Sequence, residues 1–153
     1  MIVNSDNIVL SARSVPPFIS AKSSTSIVFG EYNHVATSYD GSILRLYMNG
    51  VEVDSSTLGA PTIPSVATLI GGHYHSGTPS QFFDGHIDEV RVWNIARTEA
   101  QIQANMYKTL QGNEANLVSY WQFDENNWGQ SNIFCGYGYQ RLLASLLAAV
   151  FCA

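Results

Sequence analysis

The fold class this sequence predicts is an all-β sandwich, and three observations carry the prediction. Short apolar runs recur between turn residues as far as about Glu125, the pattern of a sandwich or barrel. One of them, Ile43–Met48, alternates between two faces and ends on Asn49-Gly50, a pair that tolerates positive φ and closes two-residue hairpins. The 153 residues are 46% apolar, enough for a core, and the first 134 contain no cysteine, so neither disulfides nor a thiolate metal site holds the body together.

Taken in order, Asn7–Ala12 and Thr25–Phe29 are rich enough in Ile, Val and Leu for strands, with Pro16-Pro17 between them. Tyr32–Tyr39 follows and Asp40-Gly41 turns the chain. In the next strand Leu44, Leu46 and Met48 share one face and Ile43, Arg45 and Tyr47 the other, and Val51 and Val53 continue the returning strand. Gly59, Pro61 and Pro64 break Ser55–Pro64 into loop. Val66–Ile70 reads as a short strand ending at Gly71-Gly72, and His73–Gln81 as a polar loop. Phe82–Trp93 is a long strand whose alternation slips at Asp88-Glu89, where a bulge is expected. Thr98 with Gln101 fits a capping box, and Ile102, Met106 and Leu110 at four-residue spacing predict a helix near 98–110, with Gly112 past its end. Leu117–Asp124 returns to strand, with Leu117, Trp121 and Phe123 on one face, and Trp93 and Trp121 are expected in the core. Beyond Asn126 the composition changes, and Gln140–Ala153 favours an apolar helix through its Leu and Ala content.

Charge and composition exclude several functions. Seven Lys and Arg against twelve Asp and Glu give a net charge of −5, so there is no basic footprint for nucleic acid. No stretch reaches the ~20 apolar residues a membrane-spanning helix needs, and Met1–Val15 lacks the pattern of a signal peptide. Cys135 and Cys152 form either a bridge or two free thiols.

Three phrases then stand in order: His34-Val35-Ala36-Thr37-Ser38-Tyr39-Asp40-Gly41 running on through Leu46-Tyr47-Met48-Asn49-Gly50; Phe83-Asp84-Gly85-His86-Ile87-Asp88-Glu89-Val90-Arg91-Val92-Trp93; and Leu117-Val118-Ser119-Tyr120-Trp121-Gln122-Phe123-Asp124-Glu125. Together they resemble the laminin-G-like and pentraxin-like jelly-roll domains of the concanavalin A-like lectin/glucanase superfamily, with Tyr32 where such domains usually have Trp. The resemblance implies a jelly-roll β-sandwich domain over residues 1–125, short of N-terminal strands unless Asn7–Phe29 is their remainder, and leaves 126–153 as an apolar tail outside the match. A sandwich short of strands exposes apolar surface and bare edges. The chain is therefore expected to be a fragment, a product of a shifted frame, or a partner in self-association or pairing with another chain, and the tail from Gly136 on is expected to be dispensable.

The glucanases of that superfamily hydrolyse with paired carboxylates. Glu52-Val53-Asp54 begins their usual motif, but Ser55, Ser56 and Thr57 follow where the second glutamate belongs. Asp88-Glu89 and Asp124-Glu125 are adjacent, so strand geometry sends each pair to opposite faces. Asp88 is expected to bond structurally, with Arg91 and Arg97 as candidate partners. His73 and His75 point the same way in an extended chain, half of a zinc site that His86 or Asp84 would complete. Exposed loop histidines are the simpler expectation. What the resemblance implies instead is non-catalytic recognition, a carbohydrate- or protein-binding adhesion module of a larger extracellular or cell-surface protein. Its candidate contacts are His73, Tyr74 and His75, with the Tyr74 ring suited to stacking on a sugar. Calcium is the one cofactor the resemblance suggests. The loop Gly71–Thr78 has no acid for it, which leaves Asp40 and Asp84 as candidate ligands, both of them explicable as turn residues. The rival expectation is a structural module packed on a neighbouring catalytic domain, and a weaker one is a glycoside hydrolase.

Overall fold

The computed structural model describes residues 2–3, 8–12, 20–57, 70–75, 78–80, 82–124 and 146–152. Among them the chain forms β1 (Ile2–Val3), β2 (Ile8–Ala12), β3 (Ser20–Ser26), β4 (Tyr32–Tyr39), β5 (Ile43–Met48), β6 (Val51–Thr57), β7 (His73–His75), β8 (Thr78–Ser80), β9 (His86–Trp93), α1 (Glu99–Asn105), β10 (Leu117–Trp121) and β11 (Leu146–Cys152). The predicted all-β architecture with one short helix is what the chain adopts. A six-stranded antiparallel sheet runs in the order β10-β9-β11-β4-β5-β6, a three-stranded sheet in the order β1-β2-β3, and β7 and β8 pair by themselves.

Register decides which residues share a face of the large sheet. Val35 pairs with Met48 and Thr37 with Leu46, so these four lie on one side, while the alternate pair Ala36 and Tyr47 lies on the other. The first side packs with Ala21, Ile27 and Val53, which brings β3 over β5 and β6 as the second layer. The second side packs with Trp93, Ile102, Leu110, Leu117 and Tyr120, which seats α1 on the opposite face. Covered on both sides, β4 is buried from Asn33 to Tyr39.

Local chemistry sets the corners. Asn49 and Gly50 both take positive φ, at 49° and 80°, and form the expected two-residue turn between β5 and β6. A Cβ at Gly50 would stand 2.9 Å from both Gln103 Cγ and Met106 Sδ, so only glycine lets the helix approach this turn, and Gln103 Nε2 donates to the Gly50 carbonyl at 2.9 Å. Thr98 and Gln101 form both bonds of the capping box. The expected bulge in β9 is present: Ala148 faces Arg91 and Val150 faces Asp88, two steps against three, with Glu89 at φ 51°.

Several expectations need correction. The tail helix predicted within Gln140–Ala153 is instead strand β11, paired antiparallel to β4 on one side and β9 on the other. The tail expected to be dispensable thus includes a strand with partners on both edges in the middle of the sheet. The helix ends at Asn105, with Met106 as its C-cap, because Lys108 N bonds back only to Asn105 O and the chain leaves the helical path; Leu110 is still buried, but from the following loop. Gly112 takes positive φ in that loop rather than at the helix end. The strand expected at Thr25–Phe29 lies earlier, at Ser20–Ser26, where Ala21 and Ser23 point inward and Lys22 and Ser24 outward. His73–Gln81 holds the β7–β8 hairpin rather than loop alone. Trp93 is buried as expected but Trp121 only half-buried, since a bulge at Val118 and positive φ at Phe123 break the alternation of β10. Of the short strand expected at Val66–Ile70, residues 66–69 lie outside the described residues, as does Cys135.

Candidate functional site

The acids come first, because hydrolysis would depend on them. Asp54 accepts from the backbone N–H of Lys22 at 2.6 Å and of Ser55 at 2.8 Å, and Glu52 lies 3.7 Å from Arg45. Asp40 accepts from the N–H groups of Ser42 (2.9 Å) and Ile43 (2.8 Å) and from Arg45 at 2.6 Å. The Arg45 bond and then those two N–H groups hold its carboxyl at a pKa of about 2. This is the work of a turn residue. Asp88 accepts from Glu89 N at 2.8 Å and not from Arg91 or Arg97, the partners expected for it; burial, above all, raises its pKa.

Glu89 is the acid that pairs with Arg91, and the pair anchors a polar cluster beneath α1. Tyr120 donates its hydroxyl to Glu89 and accepts from Leu110 N at 3.1 Å. Arg91, 3% exposed, donates to the carbonyls of Asn105 (2.8 Å) and Lys108, the end of the helix where a cation is favoured, and its guanidinium lies 5.4 Å from the Tyr120 ring centre. His34 is buried beside it, and burial followed by the Arg91 charge lowers its pKa to about 4, so it is neutral. Among the described residues, His34 Nδ1 and Arg91 Nε are the buried side-chain polar atoms without a partner. Arg97 stacks over Trp93 at 4.1 Å. Sequence reasoning missed this cluster, although the two-residue spacing of Glu89 and Arg91 on one strand was a legible signal. Its centre, His34 and Arg91, is buried, while Tyr120 and Glu89 are only partly so.

A cleft of about 510 Å³ lies beside β10, lined by Thr109, Gln111, Ser119, Tyr120 and Gln122 among others. Its one ionisable side chain is Tyr120, whose hydroxyl is already bonded to Glu89 and whose pKa is raised by burial and that carboxylate. Among the described residues it holds no other acid or base for chemistry.

The remaining candidate is an end of the large sheet. Both β4 and β9 run antiparallel to β11, and Tyr32, Cys152 and His86 stand in one row across the three strands. The segments leading into β4 and β9 therefore reach the same rim. Asn49 joins them, because its N–H donates to His34 O at 2.7 Å and its Oδ1 accepts from His34 N at 2.8 Å. Phe83 N donates to Gly71 O at 2.8 Å, which ties the start of β7, and so the backbone of His73–His75, to this rim. The rim displays Phe29, Tyr32, Val51 and Phe82, all exposed large apolar residues, and Asp84 and His86 are exposed there as well. Sequence reasoning missed Phe29 and Tyr32; the aromatics flanking Gly30-Glu31 were their signal. Asp40 lies at the opposite end of β4, about 25 Å away along eight strand residues. Asp40 and Asp84 are thus not brought together, and among the described residues no three His, Cys, Asp or Glu side chains are grouped to hold a metal ion.

Among the described residues no helix is long and apolar enough to cross a membrane. A laminin G family model described as Concanavalin A-like lectin/glucanases superfamily matches residues 4–103, and the chain belongs to that family. The match takes in β2 to β9 and stops within α1, so β1, β10 and β11 lie outside it. Pappalysin-1 of Mus musculus is 34% identical over 83 residues, and Pappalysin-1 of Homo sapiens 29% over 83 residues. In each case the aligned stretch is 50% of this chain and 5% of the relative, so the chain corresponds to a small part of those proteins. No solved structure matches the chain.

Proposed function

From membership of the laminin G-like family, we propose that the chain is a non-catalytic recognition module of a larger extracellular protein. Its sheet rim is the contact surface, and its ligand is a glycan or another extracellular protein. One observation carries this reading. The acids that a hydrolase of this fold would need are occupied in turns and ion pairs, while the rim presents aromatic side chains on turns held by backbone hydrogen bonds. Rigid loops at the end of a β-scaffold are where binding residues concentrate. His73, Tyr74 and His75 belong to this contact in the proposal, since the start of β7 is tied to the rim. Asp84 is the rim acid through which calcium would act.

The test is retention of the purified chain on a panel of glycans and extracellular proteins, in calcium and again in EDTA. Retention that falls about tenfold when His73, Tyr74 and His75 are replaced by alanine is the expected result. Loss of retention in EDTA, reproduced by Asp84→Asn, assigns the ion to Asp84. No retention on any member of the panel replaces this reading with the alternative, a ligand-free structural module packed on a neighbouring domain. Turnover of a glycan that disappears in Glu52→Gln would make it a hydrolase.

A further inference from the structure

We infer that the rim built by residues 28–32, 49–51 and 82–86 docks a basic, apolar-containing segment of another protein, in preference to a glycan. The inference rests on the recognition reading above and narrows its ligand. Exposed apolar side chains set the first requirement. Phe29 is 62% exposed, Tyr32 58%, Val51 55% and Phe82 70%, and such a concentration at one end of a small domain marks an interaction surface.

Charge sets the second. The three rim segments read Val-Phe-Gly-Glu-Tyr, Asn-Gly-Val and Phe-Phe-Asp-Gly-His; they carry Glu31 and Asp84 and contain no Lys or Arg. The described basic residues all lie outside these three segments: Arg45 bonds Asp40 and Arg97 is bonded through its carbonyl by Ser38, both toward the far end of β4, Arg91 is buried, and the exposed Lys22 and Lys108 stand on β3 and in the loop after α1. A segment bearing Lys or Arg complements this rim. Its cations can lie over the Phe29 and Tyr32 rings while the two carboxylates answer their charge.

The described rim also offers little to grip a sugar. A sugar is gripped by amide groups beside an aromatic face, and among the described rim residues the Asn33 amide is committed through both its atoms and Asn49 through its Oδ1. Asn33, 3% exposed, donates through Nδ2 to the Val28 and Glu31 carbonyls at 2.9 Å each and accepts from Val28 N at 3.3 Å. Asn49 accepts from His34 N. These bonds fix the Phe29 turn and the hairpin tip in place, which lowers the ordering cost of binding a protein surface.

The experiment is selection of a phage-displayed random 12-residue peptide library on the immobilised full chain, followed by titration of the recovered peptides. The expected peptides are enriched in Lys and Arg together with Leu, Phe or Trp, and bind more weakly as salt rises. Phe29→Ala is expected to weaken them about tenfold. Glu31→Lys and Asp84→Lys are expected to weaken them and to flatten the salt dependence, and Ser42→Lys at the opposite end to leave them unchanged. Peptides without basic enrichment, or rim variants that bind as the parent chain does, overturn the inference. If a glycan or protein from the broader panel still binds while the rim variants are indifferent, this inference alone fails. If nothing binds in either experiment, the recognition reading fails with it.

Discussion

One face of the six-stranded sheet is closed by apolar side chains from β3 and the residues around it, and the other by a seven-residue helix seated over charged groups. On the first face Ala21, Ile27, Val35, Leu46 and Met48 pack as a cluster with no charged member. On the second, Ala36, Tyr47, Trp93, Ile102 and Leu110 surround a cluster in which Arg91 binds Glu89 and the helix end, with neutral His34 alongside. The difference is between an area-driven contact and one that holds only while its charges stay matched. Burial of apolar area tolerates pH and small shifts, whereas a buried ion loses its support as soon as one partner leaves.

The comparison can be broken most directly at the strand both faces share. Ala149→Pro removes a ladder donor between β4 and β9, and the cooperative thermal transition is expected to vanish, as measured by circular dichroism. Arg91→Ala acts on the helix face alone and strands Glu89 in a partly buried site. The expected loss is about 4 kcal/mol in urea unfolding, the scale for removing one member of a buried pair. Leu46→Ala is the counterpart on the apolar face, where Leu46 is fully buried. A loss of about 3 kcal/mol is expected, the same at pH 7 and pH 5.

His34 sharpens the contrast through pH. Its pKa is lowered from 6.5 to about 4, so between those values the unfolded chain takes up a proton that the folded chain refuses. Stability is therefore expected to fall as pH drops through that window, by up to about 3 kcal/mol at 1.36 kcal/mol per unit. Urea unfolding of His34→Gln should show a flatter pH profile; an unchanged profile would place the dependence elsewhere. Thr98→Ala removes the helix cap and is expected to cost about 1 kcal/mol, the smallest of these effects.

The same contrast explains what could be read in the sequence. Features set by neighbours along the chain were legible: the Asn49-Gly50 turn, the Thr98–Gln101 cap and the bulge at Asp88-Glu89 all follow from local residue chemistry. Strand β11 was misread because a strand paired on both edges within a covered sheet carries no two-residue alternation, and an apolar run of Leu and Ala then looks like a helix. Strand β3 was misplaced for the converse reason, since its inward residues Ala21 and Ser23 are too small and polar to register as a hydrophobic period. The candidate rim was only partly visible. His73–His75 and Asp84 stand out as residue types, but Phe29 and Tyr32 join them only through the β4–β11–β9 register, which no local pattern encodes. Asp40 is bonded within its own turn and stands apart from this rim, a placement hidden in the sequence because a carboxylate beside a glycine reads alike as turn or ligand.

The place of β11 also sets the order of events in folding. Val35 and Ala149 are neighbours in the sheet yet stand 114 positions apart in the chain (149 less 35), and Glu99–Asn105 and Leu117–Trp121 come between them in sequence. Hairpins such as β5–β6 close locally and fast, whereas a pairing of this span must first meet a large loop-closure cost. Until it forms, β4 and β9 are two bare, apolar edges running in the same direction, open to any strand that arrives first. The interval before closure is when this domain is most exposed to mispairing with other chains, and a mutation that only delays β11 would appear as aggregation during refolding before it appeared as lost stability.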